Sequence, residues 1–193
     1  MSEQTFLSAP RIAGSLLVLA IVPLGVGITL FISRVGLQGS APRTPELFIL
    51  ERGSILTAVI LTALGLLVLE TIFQGSAERT AAHIGAMAYF FGAVLLVVAE
   101  AMSMAQNEMS TYPLIVVYEV LVFLGQAAVG GALLLSNLLP AWIGWTSIIW
   151  NLGWLIILPI TTPNDMYFPV LHHVMPLLIG ITLLLRASAM AGN

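Results

Sequence analysis

The chain contains no cysteine and no lysine, and charged residues make up only 8% of it. Without cysteine there are no disulfides, iron–sulfur clusters, thiolate-ligated metals or cysteine nucleophiles. Without lysine there is no retinal or pyridoxal Schiff base and no phosphate-binding Walker lysine. The six basic residues are all arginine and form no run or patch, which excludes nucleic acid as a partner. A soluble domain carries about a quarter charged residues, so a water-facing surface cannot be assembled from this composition. The chain is 59% hydrophobic with a mean hydropathy of +1.05, and its partner is the lipid bilayer.

A transmembrane helix needs roughly 20 mainly apolar residues to cross about 30 Å of hydrocarbon. Six segments meet this, at about 12–33, 45–73, 81–106, 112–139, 141–160 and 169–187. They predict an all-α, polytopic integral membrane bundle of six transmembrane helices, with residues 1–193 forming a single membrane domain. The first apolar stretch, 12–32, exceeds the roughly 7–15 residues of a secretion-signal core and reads as a span. Thr44, Pro45 and Glu46 read as cap, first-turn proline and dipole-favoured acid opening the second span. Gln74-Gly75-Ser76 closes it, Pro140 turns the fourth span into the fifth, and 161–165 (Thr-Thr-Pro-Asn-Asp) separates the fifth from the sixth. No soluble domain or internal repeat emerges.

With an even number of spans both termini share one face, together with Arg11, Arg79 and Arg186. Arg34, Arg43 and nearby Arg52 lie toward the other face, along with Glu46, Glu51, Glu108 and Asp165. Weighing arginines alone, the expected placement is a multi-pass protein of the cell membrane with both termini cytoplasmic. Ala88-xxx-Gly92 and Ala127-xxx-Gly131 offer small residues for close helix approach. Trp142 and Trp145 fit an aromatic belt, with Trp150 and Trp154 deeper.

Acids within hydrocarbon cost at least about 2.5–3.5 kcal/mol each on insertion scales, so each calls for an account. In the six-span arrangement Glu51, Arg52, Glu100, Glu119, His172 and His173 converge toward the face away from the termini. Tyr112, Glu119, Gln126, Gly130 and Asn137 recur at intervals of 7, 7, 4 and 7 residues, which holds one face of a helix. Ala93, Glu100 and Asn107 repeat by seven in the same way. A pocket lined by these two faces, open to the outer side, is the expected ligand-binding site or ion pathway. Glu51, Arg52 and the two histidines also fit a plainer reading as headgroup-level residues. An arginine such as Arg52 neutralising the acids would make the cluster a structural network.

A second constellation joins Glu70, at the end of the second span, to His83, at the start of the third. A helical hairpin sets them side by side near Arg79 as a structural ion pair. In the sixth span Pro176 removes an amide and frees the carbonyl of His172, which in a membrane needs another partner. Pro23, with Gly25 and Gly27, is placed to bend the first span.

No cofactor is identified. A bis-histidine haem fits badly, because His83 lies at the opposite face and adjacent His172 and His173 diverge by about 100°. The residues favour a small multi-pass protein that binds or transports a cation, proton or small polar solute. The alternatives are a non-catalytic accessory or scaffold subunit of a membrane complex, partnered by other subunits, and a metal-dependent intramembrane hydrolase using a histidine with Glu100 and Glu119. The hydrolase lacks HExxH, ExxH or multi-His spacing, and no motif names an enzyme.

The stretch Leu139-Pro140-Ala141-Trp142-Ile143-Gly144-Trp145 resembles the LPxWxGW turn of bacterial multi-helix membrane proteins of unknown function. It covers one helical hairpin. In size and span number the chain is also similar to the substrate-binding subunits of energy-coupling vitamin transporters, an architectural likeness that transfers no residues.

Overall fold

The computed structural model describes residues 3–36, 45–105 and 110–191, with side chains over 9–34, 46–105 and 110–189. Arg43, Thr44, Asn107 and Glu108, which entered the loop-charge, capping and heptad arguments, lie outside these residues. Among the described residues there is no β-strand. The helices are α1 Glu3–Leu19, α2 Ile21–Gly36, α3 Pro45–Glu70, α4 Ser76–Met104, α5 Tyr112–Ser136, α6 Ala141–Thr161 and α7 Val174–Ala191, with a 3₁₀ turn Leu171–His173 before α7. Among the described residues six segments are long and apolar enough to cross a membrane, α1 and α2 together forming the first.

The punctuation has local causes. Pro23 has no amide to donate to the carbonyl of Leu19, and the first span breaks at Ala20. Hydrogen bonds from the amides of Ala20 to Leu16 and Leu24 to Ala20, at 3.1 and 3.3 Å, carry the chain across the break. At the end of α3 the amides of Thr71, Ile72 and Phe73 fall back onto the carbonyls three residues earlier, tightening the last turn. Glu78 then accepts the Gly75 amide at 2.8 Å, so α4 begins at Ser76, ahead of the predicted start. α5 stops at Ser136 because Asn137 takes φ 52°, the left-handed cap conformation. Asn137 is exposed and is not an inward continuation of the polar stripe.

Consecutive spans pack as neighbours, and α7 returns to pack along α1, which closes the bundle. Three contacts pair glycines reciprocally: Gly14 with Gly180, Gly85 with Gly125, and Gly130 with Gly144. In each, a Cβ on either glycine would fall within 3.0 Å of the other's carbonyl oxygen. Lipid tails are as apolar as leucine, so helices in a bilayer associate through close packing, which small residues permit. The expected small-residue pair on α5 is corrected accordingly. Gly131 meets nothing within 4 Å, and its neighbours Gly125 and Gly130 make the seams. Gly92 does pack closely, against Tyr118 and Val122.

The core runs through Leu17, Leu66, Leu96, Val122 and Ile179, while Ile60, Phe91, Ile156 and Leu185 face outward into lipid. Trp142 and Trp145 are exposed in the same sense. α7 approaches only α1 along a long close seam; toward α5 and α6 the spacing is filled by large side chains. That wider interior holds the polar cluster.

Gly85→Val is expected to force α4 and α5 apart and cost about 1–3 kcal/mol through overpacking. Gly131→Ala should leave stability unchanged or raise it by up to about 1 kcal/mol, because it faces open space and improves helix propensity. Thermal unfolding of both variants in detergent checks the pair.

Candidate functional site

The site begins with an irregularity in the backbone. Pro176 cannot donate to the carbonyl of His172, and that carbonyl instead accepts the side-chain amide of Gln126 at 2.6 Å. One residue earlier, the carbonyl of Leu171 accepts the indole N–H of Trp150 at 2.8 Å. Side chains from α5 and α6 thus satisfy the two carbonyls at the start of the sixth span. The partner called for by Pro176 is a neighbouring helix. Ser147 donates to the carbonyl of Gln126 at 3.1 Å, and Asn151 donates to that of Ser147 at 2.7 Å.

This bracing turns both histidines into the bundle. His172 is fully buried, edge-on to the rings of Tyr118 and Phe123. The Tyr118 hydroxyl lies 3.0 and 3.2 Å from its two ring nitrogens. Oε1 of Glu119, also fully buried, sits 3.6 Å from His172 Nε2. That separation exceeds a hydrogen bond, and neither carboxyl oxygen of Glu119 has a hydrogen-bond partner. His173 donates from Nδ1 to the carbonyl of Pro169 at 2.6 Å, since a carbonyl can only accept. Its Nε2 is left as a buried acceptor without a partner.

A second group of charges lies alongside. Arg34 grips Glu51 with two bonds of 2.7 and 3.0 Å, the strong bidentate arrangement. Arg52 donates from Nη1 to Glu100 at 2.9 Å, and its Nε lies 3.4 Å from Glu51. Two arginines and two glutamates therefore balance, tying α2, α3 and α4 together. The rings of Phe48 and Tyr167 flank Arg52 at 5.2 and 5.8 Å.

Tyr167, in the connection between α6 and the 3₁₀ turn, joins the two groups. Its ring lies 6.4 Å from that of Tyr118, and its hydroxyl faces Glu100 just outside hydrogen-bond geometry. Burial, and then the negative charge of Glu100, pushes the Tyr167 phenol well above its ordinary range, so it stays protonated. The same connection is held down where Tyr112 donates to the carbonyl of Pro163 at 2.6 Å.

The predicted residues thus divide. Glu119, Gln126, His172 and His173 form one buried centre, while Glu51, Arg52 and Glu100 join Arg34 in an ion network. Glu100 is 2% exposed and Glu119 0%. Among the described residues no group of three His, Asp or Glu is arranged to hold a metal ion. Adjacent His172 and His173 lie side by side, their rings tilted by 37° with centroids 5.2 Å apart. Arg34, Tyr118, Tyr167, Trp150, Ser147 and Asn151 are participants that the sequence did not single out. Only Arg34, a charge at the end of an apolar span, carried a usable signal.

At the opposite face Glu70 and His83 meet at 2.8 Å, as the hairpin register requires. With Arg79 and Thr80 they line an open depression. The His83 side chain is 58% exposed, which makes the pair a weak surface contact. Nearby, Arg186 donates to the carbonyl of Leu138, closing the turn after α5.

Comparison with models of protein families, with characterised proteins and with solved structures finds no match to this chain. Function must be argued from the site.

Removing Gln126's amide by Gln126→Leu should cost about 1–3 kcal/mol, the penalty for an unpaired buried carbonyl. Arg52→Met should cost about 3–5 kcal/mol by stranding Glu100, with much of the loss recovered in Arg52→Met/Glu100→Gln. By contrast His83→Ala should cost no more than about 1 kcal/mol. Unfolding midpoints of the purified variants in one detergent rank these effects.

Proposed function

We propose that this protein binds and moves a small cation, a proton or a small polar solute at an intramembrane centre formed by Glu119 and His172. The observation that carries this reading is the contrast among its buried acids. Glu51 and Glu100 each have an arginine, whereas Glu119 has no hydrogen-bond partner for either oxygen at zero exposure. A buried polar group without a partner costs stability, and acids inside spans mark pathways more often than packing. The fold offers Glu119 a histidine at 3.6 Å and no fixed counter-ion, an arrangement suited to a transient occupant.

On this reading Gln126 and Trp150 position His172, and the Arg34–Glu51–Arg52–Glu100 network is a structural clamp at the face away from the termini. The arginine distribution favours the cell membrane with both termini cytoplasmic. A second reading, an accessory subunit of a membrane complex, draws support from that same clamp, in which two of the three buried acids are already neutralised.

Reconstitution into liposomes separates the two. Wild type should bind or pass at least one member of a panel of protons, alkali cations and small polar solutes, and Glu119→Gln should reduce this to the level of protein-free vesicles while its melting temperature holds. No binding or flux across the panel, together with stoichiometric co-purification of other membrane subunits, would establish the accessory reading instead.

A further inference from the structure

We infer that the mobile species is a proton, exchanged between Glu119 and His172. This rests on the transport reading above and names its substrate. Ligand number argues first. Hard cations require about six oxygen ligands. Glu119 brings one carboxylate, and among the described residues no group of three His, Asp or Glu stands ready to hold a cation there. A solute argues no better, because Glu119, Gln126, His172 and His173 are all at most 2% exposed, and aromatic rings fill the space between them. A proton needs neither a coordination shell nor a cavity.

The groups that are present are those a proton requires. In the transfer the Oε1–H bond of a neutral Glu119 breaks and an Nε2–H bond forms on His172. A carboxylic acid and an imidazole thereby become a carboxylate and an imidazolium, with no change in net charge. Closing 3.6 Å to hydrogen-bond length takes less than about 1 Å of side-chain motion, or one bridging water. The Tyr118 hydroxyl, within reach of both ring nitrogens, can follow either tautomer. His173 Nε2 is a further buried acceptor beside it.

The charged and phenolic groups beside the centre are tied in sequence: Tyr118 on α5 contacts His172, Tyr167 from the connection packs against Tyr118, and Arg52 from α3 lies against Tyr167 and bonds Glu100 of α4. Arg52 is committed to Glu51 and Glu100, and Tyr167 stays protonated, so Glu119 and the histidines are left to exchange.

Two measurements test this. Infrared difference spectra between acid and neutral pH, on protein in lipid nanodiscs, should show a carboxylic C=O band that shifts in D₂O. Glu119→Gln should abolish it, His172→Asn should displace it, and Glu100→Gln should leave it. In liposomes carrying a trapped pH dye, a valinomycin-imposed potassium diffusion potential should drive proton flux in wild type. Glu119→Gln should lose that flux while its melting temperature holds. A titrating band indifferent to Glu119→Gln overturns the assignment of the proton to this centre. Alkali-cation or solute flux without proton flux overturns the inference while leaving the transport reading intact. No flux of any species overturns both. Undiminished proton flux in Glu119→Gln likewise overturns the inference.

Discussion

Pro176 removes an amide from the start of the last span, and in hydrocarbon the carbonyl it abandons can turn only to another side chain. An unsatisfied backbone group there costs several kcal/mol, so the bond from Gln126 to His172 constrains everything around it. It places Gln126 at a buried position on α5, brings α7 to that position, and turns the His172 ring into the core. Trp150 repeats the device one residue earlier. The two histidines are inside the bundle because the backbone beneath them is braced from two neighbouring helices.

Packing explains why the centre has room for polar groups. Close approach is spent at the glycine seams, where α1 meets α7, α4 meets α5, and α5 meets α6. Across the middle, α7 stands off from α5 and α6, and large side chains span the distance. Tyr118, Phe123, His172 and Met175 are all fully buried there. Aromatic and imidazole rings fill such a gap while presenting hydroxyls and ring nitrogens at fixed positions. The ion network adds the remaining tie by fastening α2, α3 and α4 at one end.

Much of this could be read from the sequence wherever a local rule applied. The hairpin between α3 and α4 set the register of Glu70 against His83. The seven-residue interval put Glu119 and Gln126 on one face, and the missing amide of Pro176 called for a partner to His172. Other features had no local signature. Gly130 and Gly131 differ by about 100° around α5, and spacing rules for small residues do not say which faces a neighbour. Asn137 kept the interval of its stripe but fell one residue past the helix, where an asparagine suits a left-handed cap. Tyr167 stands in an irregular connection with no periodicity to reveal its direction. The grip of Arg34 on Glu51 depends on how two spans lean together.

Glu100 and Glu119 looked alike in sequence, as acids deep in spans at one level of the membrane. They differ in what opposes them. Arg52 carries a permanent charge, so ionised Glu100 is balanced and stays balanced, with the arginine itself shared with Glu51. His172 carries no permanent charge, and the pair it makes with Glu119 has two forms of equal net charge, acid with imidazole or carboxylate with imidazolium. Burying a charge is costly unless it is paired, and the two acids are met differently: by a hydrogen-bonded arginine at Glu100, and by an imidazole 3.6 Å away at Glu119. The arginine ties α3 to α4 and leaves Glu100 a strut; on the transport reading proposed above, the looser contact at Glu119 is where the proton changes hands.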